Sequence, residues 1–163
     1  MDINKAFDIL MEFEGGSQIV SIPVDKGGLT KYGISQAAYP NLNIEELTET
    51  TAREIYSTDY WNTASCSKLK PELQYVHFDT AVNMGVVAAI KILQEAGGVE
   101  ADGVFGPETS AKSESVSLTE YLLLRQWRDD DIVIHRQDQI VFMGGWKNRN
   151  HTLYKMSKAG KLL

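Results

Sequence analysis

Two acids and a hydroxyl stand close together near the N-terminus: Glu14, Asp25 and Thr30. They lie in E-F-E-G-G-S-Q-I-V-S-I-P-V-D-K-G-G-L-T-K-Y-G-I-S-Q, residues 12–36, where glycine pairs at 15–16 and 27–28 permit sharp turns between them. Glycoside hydrolysis needs such a set. One protonated acid serves the leaving oxygen, and one carboxylate activates water or steadies the oxocarbenium-like centre. An acid at a helix end and a loop carboxylate eleven residues later suit that division. Carboxyls about 6.5–9.5 Å apart would give inversion, and about 5–5.5 Å apart retention.

Other chemistries lack their residues. There is no G-x-S-x-G elbow, and the three histidines (His77, His135, His151) are scattered. H-E-x-x-H, G-x-G-x-x-G and the phosphate-loop pattern are absent too. No second ligand stands at metal spacing around His77, so neither metal nor cofactor is expected. The single cysteine, Cys66, excludes an intrachain disulfide and reads as an inert thiol rather than a nucleophile.

The elements that must position the acids follow from periodicity. Ile3, Phe7, Leu10 and Glu14 share one stripe of a helix over 3–14, with Ala6 and Met11 beside it. Glu12 falls off that stripe, so the two glutamates of E-F-E are not equivalent. Glu14 ends the line where Gly15-Gly16 stops the helix, and a carboxyl beside an apolar face has the raised pKa that a general acid needs. A helix-end glutamate turned to water is the other reading. Residues 17–34 carry Ile19, Val20, Ile22 and Val24 between turn signals, which predicts a small hairpin or irregular lobe.

A short helix is expected after Ser35, ending before Pro40, and another over 48–60 with Ala52, Ile55, Tyr56 and Tyr60 on one face. Thr51-x-x-Glu54 reads as its capping box. Pro71 opens a helix over 71–84 whose apolar face holds Leu73, Val76, His77, Thr80, Ala81 and Met84. Asp79 and Asn83, spaced i to i+4 on an adjacent face, are read as contacting substrate or orienting the first helix. Residues 86–96 form an apolar helix before Gly97-Gly98, and D-G-V-F-G-P-E-T (102–109) two tight turns around an apolar V-F plug. Ser117-x-x-Glu120 caps a helix running past Trp127, and two further helices, near 132–143 and 146–160, break at Gly144-Gly145. The class is mainly α, with a small irregular β lobe after the first helix.

At 163 residues, with 43% hydrophobic and 23% charged, the chain has the composition of a soluble globular protein. No apolar run reaches the ~18 residues of a membrane span, and M-D-I-N-K-A-F-D lacks a signal-peptide core. Cytoplasmic synthesis is therefore expected. Net charge is −6, divided unevenly: residues 1–110 hold 7 basic against 16 acidic residues, residues 132–163 hold 6 against one. The acidic body argues against nucleic acid as partner. The basic tail suits either an anionic wall or lipid surface, or a solvated helix face.

E-G-G at 14–16 followed by D-K-G-G-L-T-K-Y-G-I-S at 25–35 resembles the signature of glycoside hydrolase family 108. Y-S-T-D-Y-W (56–61), F-D-T-A-V-N-M-G (78–85), D-G-V-F-G-P-E-T and G-W-K-N-R (145–149) resemble its later blocks, in order. The resemblance implies a lysozyme-like α+β fold, with a catalytic region over 1–92 and a helical, peptidoglycan-binding-like region over 93–163 packed into one compact unit with it. It implies a phage or bacterial N-acetylmuramidase cleaving the β-1,4 bond between N-acetylmuramic acid and N-acetylglucosamine. The family's catalytic glutamate falls on Glu14. The order Glu, Asp, Thr also resembles the phage-type lysozymes, which maps Asp25 and Thr30 as its partners, across a longer loop, and implies inversion. Tyr32, Asp79 and Asn83 are the expected substrate contacts. Peptidoglycan strands are the expected partner, with the protein a monomer acting in the periplasm after holin-dependent access. A non-catalytic wall-binding module, and a bacterial muramidase serving secretion, are the alternatives.

Overall fold

The computed structural model describes residues 1–14, 20–21 and 28–162, and of residues 14, 20 and 21 the backbone alone. The chain is mainly helical with a small antiparallel sheet after the first helix, and it forms two compact units: residues 2–59, and residues 60–163 together with residue 1. The 92/93 boundary expected from the sequence falls inside a helix, Val86–Ala96.

In the first unit, α1 spans Ile3–Glu14 as expected. Asp2 caps it, its Oδ1 accepting from the Lys5 amide at 2.9 Å. Ala6, Phe7 and Leu10 are buried and Glu12 is exposed, the phase predicted from the stripe, and Ile9 is buried as well. Strands β1 (Val20–Ser21), β2 (Leu29–Lys31) and β3 (Ile34–Ser35) follow in the order β1-β2-β3. The register pairs Val20 with Thr30 and Thr30 with Ser35.

Lys31 pairs with Ile34, so β2 and β3 are joined by two residues, Tyr32 and Gly33, with φ of 53° and 75°. Positive φ at both positions belongs to the mirror-image turns whose twist matches a hairpin. Glycine adopts that backbone without cost; tyrosine does not. Tyr56 helps hold it by donating its hydroxyl to the Tyr32 carbonyl at 3.0 Å.

No helix forms between Ser35 and Pro40. The Gln36 side-chain amide donates to the carbonyls of Tyr39, Pro40 and Leu42, fixing a turn where proline blocks helical continuation. Helix α2 (Glu49–Ile55) is capped by Thr48, whose side chain accepts from the Thr51 amide, so Thr51 is not the cap. Arg53 ties α2 to α1: its guanidinium lies 4.3 Å over the Phe7 ring and pairs with Asp8 and Glu49. A π-helical segment, Tyr56–Asn62, continues from α2. The wider turn explains why burial passes from Ala52 and Tyr56 to Trp61 rather than to Tyr60, where α periodicity put it.

In the second unit, a 3₁₀ turn at Cys66–Lys68 leads to α3 (Pro71–Met84), which Pro71 opens. Every residue from Leu73 to Ala81 is buried, so α3 is a central helix rather than an amphipathic one. Helices α4 (Val86–Ala96), α5 (Pro107–Ser113), α6 (Leu118–His135) and α7 (Met143–Lys158) complete the unit, with a 3₁₀ segment at Gln137–Phe142. Helix α3 packs on α4 and α6, α4 also on α6, and α6 on α7. Ser117 caps α6 as expected, accepting from the Glu120 amide. Gly144 and Gly145 lie inside the first turn of α7 and do not break it.

The V-F pair of the D-G-V-F-G-P-E-T loop is not buried as a plug: Phe105 is half-buried, with the Lys68 ammonium 5.5 Å from its ring centre. Val104 is 65% exposed, and the loop is gathered instead by Gln94 of α4. Its buried amide donates to Asp102 Oδ1 (2.7 Å), the Val104 carbonyl (3.0 Å) and Thr109 Oγ1 (3.1 Å), and accepts from the Gly103 amide (2.9 Å). Among the described residues no helix is long and apolar enough to cross a membrane.

Candidate active site

Glu14 is the last residue of α1, so the helix fixes the backbone from which its carboxyl springs. The Glu14 side chain and all of Asp25 lie outside the described residues. Thr30 sits mid-strand in β2, bonded to β1 on one side and β3 on the other, and is half-buried. Tyr32 follows two residues later at the hairpin tip, half-buried, with the Lys31 ammonium 5.8 Å from its ring centre. Lys31 also donates to the Glu45 carbonyl at 3.0 Å, which keeps that charge beside the ring. The sheet thus carries two of the expected site residues on one short hairpin.

In the other unit, Asp79 meets a different use from the sugar contact expected of it. It is fully buried on α3, and both its oxygens are taken by arginines. Arg125 of α6 donates from Nη1 to Oδ2 at 2.7 Å. Arg149 of α7 donates from Nη2 to Oδ1 at 2.7 Å and from Nε to Oδ1 at 3.0 Å. This ion triad holds three helices together, and it leaves Asp79 no face for a ligand. Asn83, one turn on, is exposed, and its amide donates to the Asp79 carbonyl at 2.7 Å.

Arg125 and Arg149 were not singled out as site residues from the sequence. A signal existed for one of them: Tyr121, Arg125 and Asp129 recur every four residues along α6, in phase with one buried line. Arg149 closes the G-W-K-N-R block.

His77 is buried beside the triad. The Ala64 carbonyl can only accept, so His77 Nε2 carries the proton (3.1 Å) and Nδ1 accepts from the Tyr121 hydroxyl (2.9 Å). Burial pushes its pKa down to about 4, against the partial support of the Ala64 bond. His77 is therefore a neutral core residue. Cys66 is also fully buried, and burial pushes its thiol pKa up, which disfavours the nucleophilic thiolate. Among the described residues, no group of His, Cys, Asp and Glu could hold a metal ion.

Residues 7–85 match the family model described as Glycosyl hydrolase 108. That match covers just under half of the chain, and over those residues the chain is similar to the glycosyl hydrolase 108 family. The matched region contains α1 from Phe7, the sheet and α3, and with them Glu14, Asp25, Thr30, Tyr32, Asp79 and Asn83. A solved structure, that of Brucella abortus SagA, superposes with a TM-score of 0.81 at 28% identity, covering 96% of this chain and 94% of that one. The likeness therefore extends through α4–α7, beyond the family model. No curated protein matches the chain. The family match over residues 7–85 and the likeness to that structure both support a glycoside hydrolase of the lysozyme-like type.

Proposed function

We propose that the chain is an N-acetylmuramidase, hydrolysing the β-1,4 bond between N-acetylmuramic acid and N-acetylglucosamine in peptidoglycan. One observation carries this reading: the E-G-G glutamate, Glu14, stands at the C-terminal end of α1 inside the glycosyl hydrolase 108 region. In this mechanism Glu14 protonates the leaving oxygen. Asp25, with Thr30, positions water or steadies the cationic transition state. Tyr32, half-buried, and Asn83, exposed, are the residues proposed to contact the glycan. The protein would act as a monomer on the periplasmic wall, after cytoplasmic synthesis and holin-dependent access.

Replacing Glu14 by Gln removes the acid while keeping the shape. Loss of a general acid lowers rates by roughly 10²–10⁴-fold, so the variant should fail to clear permeabilised Gram-negative cells. Clearing at the parent rate would remove Glu14 from the mechanism. If neither protein clears cells but both pellet with sacculi, a wall-binding module is the better description. Mass spectrometry of digested sacculi reads the bond and the chemistry. Reducing N-acetylmuramic acid ends are expected, whereas anhydromuropeptides would indicate transglycosylation instead.

A further inference from the structure

The second unit holds a cavity of about 370 Å³ between the C-terminal end of α3, the start of α4, α6 and the first turn of α7. Its size falls at the lower end of small-molecule sites. Asn83, Arg128, Asp129 and Asp131 supply polar groups, while Met84, Ile132 and Trp146 supply apolar surface. Two blocks distant in sequence, residues 78–85 and 145–149, meet in its wall through Asn83 and Trp146.

The wall is built rather than incidental. Asn83 is oriented by its bond to the Asp79 carbonyl. Asp129 is 5% exposed, and its Oδ2 accepts from Asn150 at 3.2 Å. Burial raises the Asp129 pKa against the pull of Arg125, an environment found more often at binding sites than on ordinary surface. Arg128 is braced by Glu95 of α4, and Trp146 stacks on Phe142 at 6.1 Å. Arg125 also lines the cavity, and its triad with Asp79 and Arg149 fixes the helices that carry these side chains.

The chemistry of the wall selects a class of ligand. Arginine and aspartate side chains both line it, so neither a free anion nor a cation is favoured over the other. What the wall offers is one aromatic side chain, Trp146, among charged and amide groups that can donate and accept. A pyranose ring has matching features: an apolar C–H face, and an edge of hydroxyls that both donate and accept.

We propose that this cavity is a subsite for an N-acetylated sugar ring of the glycan strand. The ring would lie on Trp146, and Asn83, Arg128 and Asp129 would bind its hydroxyls and acetamide. The proposal rests on the chain acting on peptidoglycan.

The test uses the full chain carrying Glu14→Gln, so that ligand is not consumed, titrated with tri-N-acetylchitotriose by calorimetry. Binding is expected, and adding Trp146→Ala should weaken it about tenfold or more through the lost ring surface. Trp146→Phe should restore most of it, and Asp129→Asn should weaken it while circular dichroism stays unchanged. Leu123→Ala, at a 65% exposed position that does not line the cavity, should leave it unchanged. Absence of binding by the Glu14→Gln protein would overturn the proposal, as would equal affinity of the folded Trp146→Ala protein. Retained wall clearing by Glu14→Gln would instead overturn the role of Glu14, and the titration would still decide the cavity.

Discussion

Asp79 shows how burial changes the use of a charged residue. On a helix surface it could have contacted sugar; at zero exposure between Arg125 and Arg149 it locks α3 to α6 and α7. Removing one partner of such a set leaves charges buried and uncompensated, which costs about 3–5 kcal/mol. Asp79→Asn should lower unfolding free energy by that order in urea titrations, and a loss below about 1 kcal/mol would contradict it. His77 gives a second residue-scale expectation. Its folded pKa of about 4 lies below its ordinary 6.5, so the unfolded chain takes up the proton first as pH falls. The neutral imidazole's contribution is therefore intact above pH 6.5 and is lost between 6.5 and 4, amounting to about 3 kcal/mol. Unfolding measured across that window should show this slope, and His77→Gln should lack that part of it.

Among the elements, the β2–β3 hairpin places a tyrosine where glycine or asparagine would be less strained. An L-residue in the left-handed region costs roughly 1–2 kcal/mol. The Tyr56 hydroxyl offsets part of that through the Tyr32 carbonyl, a bond that survives replacement of the side chain. Tyr32→Asn should therefore raise the melting temperature. If the ring contacts the glycan, the same variant should need more sacculi for half-maximal clearing. Stability and clearing falling together would instead make Tyr32 a purely structural residue. The π-helical segment after α2 makes a related point, since one wider turn moves burial from Tyr60 to Trp61.

Across the whole molecule, the family region ends at residue 85, yet the likeness to the Brucella abortus structure continues over 96% of the chain. The helices beyond residue 85 supply both arginines of the triad and most of the cavity wall. Charge is divided on the same scale: residues 132–163 hold 6 basic residues and one acidic one, against an acidic body. If this tail meets the anionic wall, pelleting of the Glu14→Gln protein with sacculi should fall as salt rises. The Debye length shrinks from about 10 Å at 0.1 M to about 3 Å at 1 M. Replacing Lys155, Lys158 and Lys161 by Gln should flatten that dependence; an unchanged curve would make the tail a solvated face.

Local signals were legible in the amino-acid order. The stripe that buries Ala6, Phe7 and Leu10, the Pro71 start and the Ser117 cap each depend on neighbours within a turn or two. The ordered family blocks pointed to the glycosyl hydrolase 108 region for the same reason: they are strings of residues. Where the interactions were distant, the sequence was silent or misleading. The Gln94 amide gathers a loop that looked like an apolar plug, and Gly144-Gly145 continue a helix. Asp79 finds partners 46 and 70 residues away. Packing alone decides whether a carboxylate on α3 faces water or two guanidinium groups. No spacing within one helix encodes that choice, because it depends on which other helices arrive and in what rotation.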